Sequence, residues 1–127
     1  SHNIYINIMT NVPTNSKDIE NLHFNINFLT PVVKKISVKF DINKNVVEFA
    51  VISNGEKVSI PPDNIAVKTL IEMAIPLKIL ELPDDFKNIE FTISVDKDYM
   101  EIERWPYQSS VIIPKPSESF NETAWMV

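Results

Sequence analysis

Residues 22–28 read Leu-His-Phe-Asn-Ile-Asn-Phe, and apolar and polar side chains alternate along the entire stretch. Successive side chains of a β-strand point to opposite faces, so this alternation separates an apolar face from a polar one. The apolar face holds Leu22, Phe24, Ile26 and Phe28, and the polar face holds His23, Asn25 and Asn27. The stretch therefore predicts a half-buried strand of an antiparallel sheet.

Later stretches repeat this period of two: ISVKFDI at 36–42, VVEFAVI at 46–52 and IEFTISV at 89–95. The inward positions are Ile36, Val38, Phe40 and Ile42, then Val47, Phe49 and Val51, then Ile89, Phe91, Ile93 and Val95. The outward positions are Ser37, Lys39, Asp41, Glu90, Thr92 and Ser94. The core between two sheets is therefore predicted to contain Phe24, Phe28, Phe40, Phe49 and Phe91.

Turn signals separate these strands. Pro31 marks the break between the first two alternating stretches, which are predicted to pair in antiparallel fashion. Asn54 and Gly55 lie between VVEFAVIS and EKVSI, and an Asn-Gly pair in this setting predicts a tight hairpin. Gly55 is the only glycine in the chain, so other positive-φ positions are expected to fall largely to asparagine.

A helix competes with this pattern only in residues 67–83, VKTLIEMAIPLKILELP, where apolar residues are too dense for simple alternation. Pro76 has no amide hydrogen and disfavours a helical conformation in the residue before it. We therefore predict a strand over Lys68–Ala74 and a short helical turn over Leu77–Leu80. About seven or eight short strands without regular strand-helix alternation predict an all-β fold, an antiparallel immunoglobulin-like β-sandwich, with residues 1–127 forming a single domain.

The composition and the charge distribution argue against nucleic acid and membrane as partners of this chain. The 12 Lys and Arg against 17 Asp and Glu give a net charge of -5, and the basic residues are scattered along the chain. Binding to phosphates needs a concentrated positive field, so no nucleic acid is expected as a partner. No run approaches the roughly 20 apolar residues that span a bilayer, so no membrane is expected either. The chain has no cysteine, which is compatible with the cytoplasmic location that we expect.

No residue pattern in the chain indicates catalysis or a cofactor. His2 and His23 are the only histidines, and a single glycine excludes a Gly-x-Ser-x-Gly nucleophile elbow and a glycine-rich phosphate loop. The acidic residues lie at predicted turns or outward positions, where solvated carboxylates are favoured over a catalytic pair. Residues 95–103, VDKDYMEIE, offer oxygen ligands for calcium, but a solvated turn is favoured because the spacing fits no calcium-loop motif. We therefore expect no enzyme, no cofactor and no metal site.

Trp105, Tyr107 and Trp125 lie outside the alternating stretches. Trp105 and Tyr107 flank a proline in ERWPY, residues 103–107, just past a predicted strand. A ring in this position either closes the open end of the sandwich or stacks on the apolar face of a sugar. Closure is favoured for Trp105, because continued alternation places its indole inward and the side chain of Arg104 outward.

LIEMAIPLKILEL at 70–82, NIEFTISVDKDYMEIERWPY at 88–107 and SESFNETAWMV at 117–127 together resemble a known sequence pattern. In this order they look like the C-terminal region of family-57-type glycoside hydrolases, amylase- and glucanotransferase-like enzymes that act on α-glucans and often come from thermophiles. Residues 21–42 are similar to the opening strands of the immunoglobulin-like sandwich in family-9-type carbohydrate-binding and DOMON modules.

This resemblance implies a non-catalytic accessory module at the C-terminus of a larger glycoside hydrolase. The implied partners are a polysaccharide or oligosaccharide and the catalytic domain of the same chain. Trp105, Tyr107 and Trp125 are the candidate carbohydrate-binding residues, with Tyr107 or Trp125 as the exposed stacking ring. The alternative is a structural module that packs against another domain or a second copy and binds no ligand.

Overall fold

The computed structural model of the chain describes residues 3–8, 17–61, 65–67, 71–115 and 122–126. In these residues eleven strands, rather than the predicted seven or eight, form two sheets, and they confirm the predicted all-β sandwich. The strands are β1 (Asn3–Ile8), β2 (Leu22–Thr30), β3 (Lys34–Phe40), β4 (Val46–Ser53), β5 (Glu56–Ser59), β6 (Ile65–Val67), β7 (Ile71–Pro76), β8 (Asn88–Lys97), β9 (Met100–Trp105), β10 (Val111–Pro114) and β11 (Glu122–Met126). The 3-10 helices are Lys17–Asn21 and Leu77–Leu80.

The larger sheet has the strand order β10-β8-β2-β3-β4-β5, and all of its pairs are antiparallel. β9 also pairs with β8, so β9 and β10 share one edge of that strand. β9 lies along residues 93–97 and β10 along residues 88–91. The segment between them, residues 106–110, leaves the edge where the sequence reads Pro-Tyr-Gln-Ser-Ser.

The smaller sheet has the order β11-β1-β7-β6. β1 pairs with β7 in antiparallel fashion and with β11 in parallel fashion. The alternating isoleucines of β1 are buried: Ile4, Ile6 and Ile8. They lie opposite the buried side chains of β7, which are Ile75, Met73 and Ile71. β1 was missed from the sequence, although its alternation has the same period of two as β2.

The core lies between these two sheets. All predicted core aromatic residues are buried: Phe24, Phe28, Phe40, Phe49 and Phe91. Phe28 and Phe91 are cross-strand partners on β2 and β8, with ring centroids 5.8 Å apart. The apolar faces predicted for β2 and β8 are therefore correct.

Two inward assignments were wrong. Ile42 is exposed because the chain has already entered the turn between β3 and β4. Val47 is exposed because the pairing register shifts there, so that Phe40 pairs with Val46 whereas Lys39 pairs with Glu48. A β-bulge of this kind inserts one extra residue and reverses the face of the side chains beyond it.

The positions of the predicted turns are confirmed, but the expectation that asparagine occupies most other positive-φ positions is wrong. Among the described residues, Asn54 is one of five non-glycine residues with positive φ, and the others are Lys44, Glu81, Asp98 and Tyr99. Asn54 and Gly55 have φ values of 52° and 78° and connect the paired residues Ser53 and Glu56, as in a type I′ hairpin. The helical turn predicted after Pro76 is the 3-10 helix Leu77–Leu80. The preceding strand begins at Ile71, and residues 68–70 of its predicted span lie outside the described residues. No described helix has the length and apolar character needed to cross a membrane.

Candidate functional site

The outward face of the larger sheet carries a continuous set of polar side chains from β2, β3 and β8. We call this set the polar floor: Asn25, Asn27, Ser37, Thr92 and Ser94. These residues are cross-strand neighbours, since Asn25 pairs with both Ser37 and Ser94, and Asn27 pairs with Thr92. The prediction that they face away from the core is therefore correct.

The polar floor is not solvated as an outward strand face usually is. Asn25, Ser37, Thr92 and Ser94 are each 4% exposed or less. Buried polar groups are costly unless they are hydrogen-bonded, so such a surface needs internal partners. Among the described side chains, no buried nitrogen or oxygen lacks a hydrogen-bond partner.

Hydrogen bonds between β2 and β8 hold the polar floor in place. Asn25 Nδ2 donates to Asp96 Oδ2 at 2.9 Å and to Ser94 Oγ at 3.4 Å. Asn27 Nδ2 donates to Ser94 Oγ at 3.0 Å and to Thr92 Oγ1 at 3.3 Å. Because each amide is fixed by two acceptors, a ligand at this face would meet groups that are already ordered.

Arg104 covers one end of the polar floor. Its Nη1 donates to Thr92 Oγ1 at 3.0 Å, and its Nε and Nη2 donate to the two carboxylate oxygens of Glu101 at 3.1 and 2.5 Å. Hydrogen bonding to Glu101 raises the pKa of Arg104 above its ordinary value. The planar guanidinium is therefore held charged and in one orientation.

A cavity of about 190 Å³ lies at the other end of the polar floor. We call it the Tyr99 pocket, and its lining consists of His23, Asn25, Lys35, Ser37, Glu48, Ile52, Lys57, Asp96 and Tyr99. Lys57 forms an ion pair with Glu48, whose carboxylate also lies 4.0 Å from His23 Nε2. The two lysines and two carboxylates of this lining balance in formal charge.

Tyr99 occupies the turn between β8 and β9. Asp98 and Tyr99 have φ values of 51° and 67°, so both lie in the left-handed region. A bulky side chain is rare in that region, where glycine or asparagine is favoured. The Tyr99 side chain is 92% exposed, and its ring centroid lies 6.0 Å from that of His23 at an interplanar angle of 31°.

The predicted aromatic site is divided between the two sheets. Arg104 pairs with Ser94 and Trp105 with Ile93, so Arg104 lies on the polar face, as predicted, and Trp105 on the core side. Trp105 is nevertheless 44% exposed, since β9 is an edge strand, and its predicted role in closing the end of the sandwich stays a prediction. Tyr107 is 79% exposed beyond the same edge, whereas Trp125 belongs to β11 of the smaller sheet.

Tyr99 was not recognised as a candidate from the sequence. The stretch VDKDYMEIE predicted a solvated turn, in which the candidate ligand groups were the acidic oxygens and not the tyrosine. The sequence signal for this site is the tyrosine of Asp98-Tyr99 in a two-residue hairpin turn. Glycine or asparagine is favoured in such a turn, so an aromatic residue there is a sign of a role other than turn formation. The nearness of His23 and Asp96, by contrast, depends on the pairing of β2 with β8.

A larger cavity, about 710 Å³, lies on the core side of β5. Aliphatic side chains form much of its wall, including Val51, Val58 and Ile79, and Lys34 and Glu81 lie 3.6 Å apart at its border. It has no aromatic side chain and no network like the polar floor. Within the described part of the chain, no group of three or more His, Asp or Glu side chains is placed to hold a metal ion.

No protein-family model, curated protein or solved structure matches this chain.

Proposed function

We propose that this domain is a non-catalytic accessory module that binds a neutral α-glucan. The observation that carries the proposal is the polar floor, whose buried amide and hydroxyl groups hold the partly exposed side chains of Asn27 and Asp96 in order on the face of the sheet opposite the core. Amide and hydroxyl groups both donate to and accept from sugar hydroxyls, and an ionised carboxylate accepts from them. A face that is ordered before binding loses little side-chain entropy when a ligand arrives.

The charges around the polar floor favour a neutral ligand. Glu101 is paired with Arg104, and Glu48 with Lys57, so the ionic groups at both ends already have partners. Asp96 accepts a hydrogen bond from Asn25. A charged ligand would have to displace these pairs, whereas hydroxyl groups can add to them.

The accessory role rests on the resemblance of residues 70–82 and 88–107 to the C-terminal region of family-57-type glycoside hydrolases. Under this proposal the catalytic domain of the same chain is one partner, and the glucan is the other. The role of Trp105, Tyr107 and Trp125 in sugar contact stays a prediction. Substituting Tyr107 by alanine tests the role of Tyr107 in sugar contact without disturbing the core, because its ring is exposed.

Affinity electrophoresis through gels containing soluble starch or glycogen tests the proposed function. The domain is expected to migrate more slowly than in a gel without polysaccharide. Asn27→Ala is expected to reduce the retardation, because it removes an amide of the polar floor. The control is Val33→Ala in the exposed connection just before β3, which should migrate like the unaltered protein. An unretarded protein with a native near-ultraviolet circular dichroism spectrum would contradict the proposal.

A second candidate function, packing against another domain or copy, is favoured by the β9–β10 edge. We define this edge by its apolar side chains, which are between 44% and 79% exposed: Met100, Ile102, Trp105, Tyr107 and Ile112. Exposed apolar side chains along an unpaired sheet edge favour pairing of that edge with another protein surface. Sedimentation equilibrium tests self-association, and a dimer that Ile112→Glu dissociates would support it. A monomer at all concentrations would leave only packing against another domain.

A further inference from the structure

The Tyr99 pocket carries an exposed aromatic residue at a turn position that favours glycine or asparagine. The Tyr99 side chain is 92% exposed, so it adds little to the buried core. Its backbone has a φ of 67°, which is sterically unfavourable for a residue with a β-carbon. The two-residue turn between Lys97 and Met100 imposes this φ, so the feature that calls for a function is the exposed tyrosine at this position and not the φ itself.

The ring of Tyr99 is placed beside hydrogen-bonding groups. His23 lies next to it, and the β2 and β8 pairing brings Asp96 opposite His23. Asn25 and Ser37 form the buried base of the same pocket. An exposed aromatic face next to ordered polar groups matches the chemistry of a sugar ring, which has an apolar face of C–H groups and a rim of hydroxyls.

The size of the pocket limits the ligand. Its volume of about 190 Å³ is smaller than the roughly 300–1,000 Å³ of pockets that enclose drug-sized ligands. The pocket therefore has room for a single ring rather than for an enclosed chain. The balance of two lysines against two carboxylates in the lining favours a ring without charge.

We propose that the Tyr99 pocket is a subsite for one neutral pyranose ring, in which Tyr99 provides the stacking surface and His23, Asn25 and Asp96 contact the hydroxyls. This inference rests on the proposed glucan-binding function and assigns that function a place distinct from Trp105 and Tyr107. A stacked nucleobase fits less well, because the chain carries a net charge of -5 and would repel the attached phosphates.

Calorimetric titration with maltotriose compares two variants at one position. Tyr99→Gly removes the ring and relieves the positive φ, so the protein should melt at the same temperature or higher. Its affinity for maltotriose should nevertheless fall by about tenfold or more, because stacking is lost. Tyr99→Phe keeps the ring and should retain most of the affinity. Loss of affinity with unchanged thermal stability is a result that a structural role for Tyr99 does not produce.

The outcomes separate this inference from the proposed function. Retained affinity in Tyr99→Gly, together with weakened affinity in Tyr107→Ala, would overturn the Tyr99 pocket and leave glucan binding in place at the β9–β10 edge. Retained affinity for maltotriose in both variants would also overturn the assignment of the Tyr99 pocket as a sugar subsite. If the unaltered protein bound neither maltotriose nor soluble starch, the proposed function and the inference would both fail.

Discussion

Asp41 organises the turn between β3 and β4 with its side chain. Its Oδ1 accepts hydrogen bonds from the backbone N–H groups of Asn43 and Asn45 at 2.8 and 2.9 Å. Because the ionised carboxylate is the better acceptor, these bonds lower the pKa of Asp41 from its ordinary value of 3.8, the bond from Asn45 being the largest cause. The turn is therefore more stable with Asp41 ionised.

We predict that Asp41→Ala lowers the melting temperature at neutral pH. A lowered folded-state pKa means that the stabilisation is fully present above pH 3.8 and is lost as the pH falls through the folded-state value. Thermal melts at several pH values should therefore show the difference from the unaltered protein shrinking in acid. Asp41→Asn keeps an acceptor oxygen, so its melting temperature at neutral pH should fall less than that of Asp41→Ala. A pH-independent difference for Asp41→Ala would contradict this account.

Phe91 tests the assignment of the core. Its side chain is fully buried between the sheets, so Phe91→Ala should lower the free energy of unfolding by about 3–5 kcal/mol. Urea denaturation measures this quantity. The exposed Val58→Ala serves as the control and should change it by less than about 0.5 kcal/mol. A loss below about 1 kcal/mol in Phe91→Ala would mean that β8 turns its other face to the core.

At the scale of residues, the sequence predicted which face is apolar but not how deeply the polar face is covered. Phe24 and Phe91 follow from the period of two, which depends only on neighbours along the chain. The burial of Thr92 depends on Arg104 from β9, which reaches it across the sheet. That contact is set by strand pairing, so the polar residue pattern alone could not reveal it.

At the scale of elements, the hairpin of β4 and β5 was predicted from two residues. Gly55 has a φ of 78°, and nothing lies within 4 Å of where a β-carbon would be added. Gly55→Val is therefore expected to destabilise through backbone strain alone, by roughly 1–2 kcal/mol or more for this branched residue. Gly55→Asn should destabilise less, since asparagine tolerates this region. Equal melting temperatures for Gly55→Val and the unaltered protein would exclude the assigned turn.

The elements that escaped prediction have a common physical reason. The bulge between β3 and β4 moves Val47 to the exposed face. The bulge depends on how these two strands pair, and no residue pattern within β4 alone indicates it. Similarly, β9 and β10 divide one edge of β8 around residues 106–110. The proline in ERWPY indicated in the sequence that the strand ends there. The exposure of Trp105 and Tyr107 could not be predicted, because it depends on β9 being an edge strand.

At the scale of the whole molecule, the sandwich gives each face of the larger sheet a separate role. The face toward the smaller sheet holds the core, and the opposite face holds the polar floor. Under the proposed function, stability and ligand contact would therefore depend on different residues of the same strands. Phe24 and Asn25, adjacent on β2, illustrate this division, because one packs in the core and the other bonds Asp96.

A nuclear magnetic resonance titration with maltotriose tests the central claim, that the polar face of the larger sheet binds a neutral glucan. The side-chain amide signals of Asn25 and Asn27 report directly on the polar floor. We predict that they shift with maltotriose, together with the backbone signals of Asp96 and Tyr99. Unchanged signals at all four residues, in a protein that otherwise gives a folded spectrum, would contradict the claim.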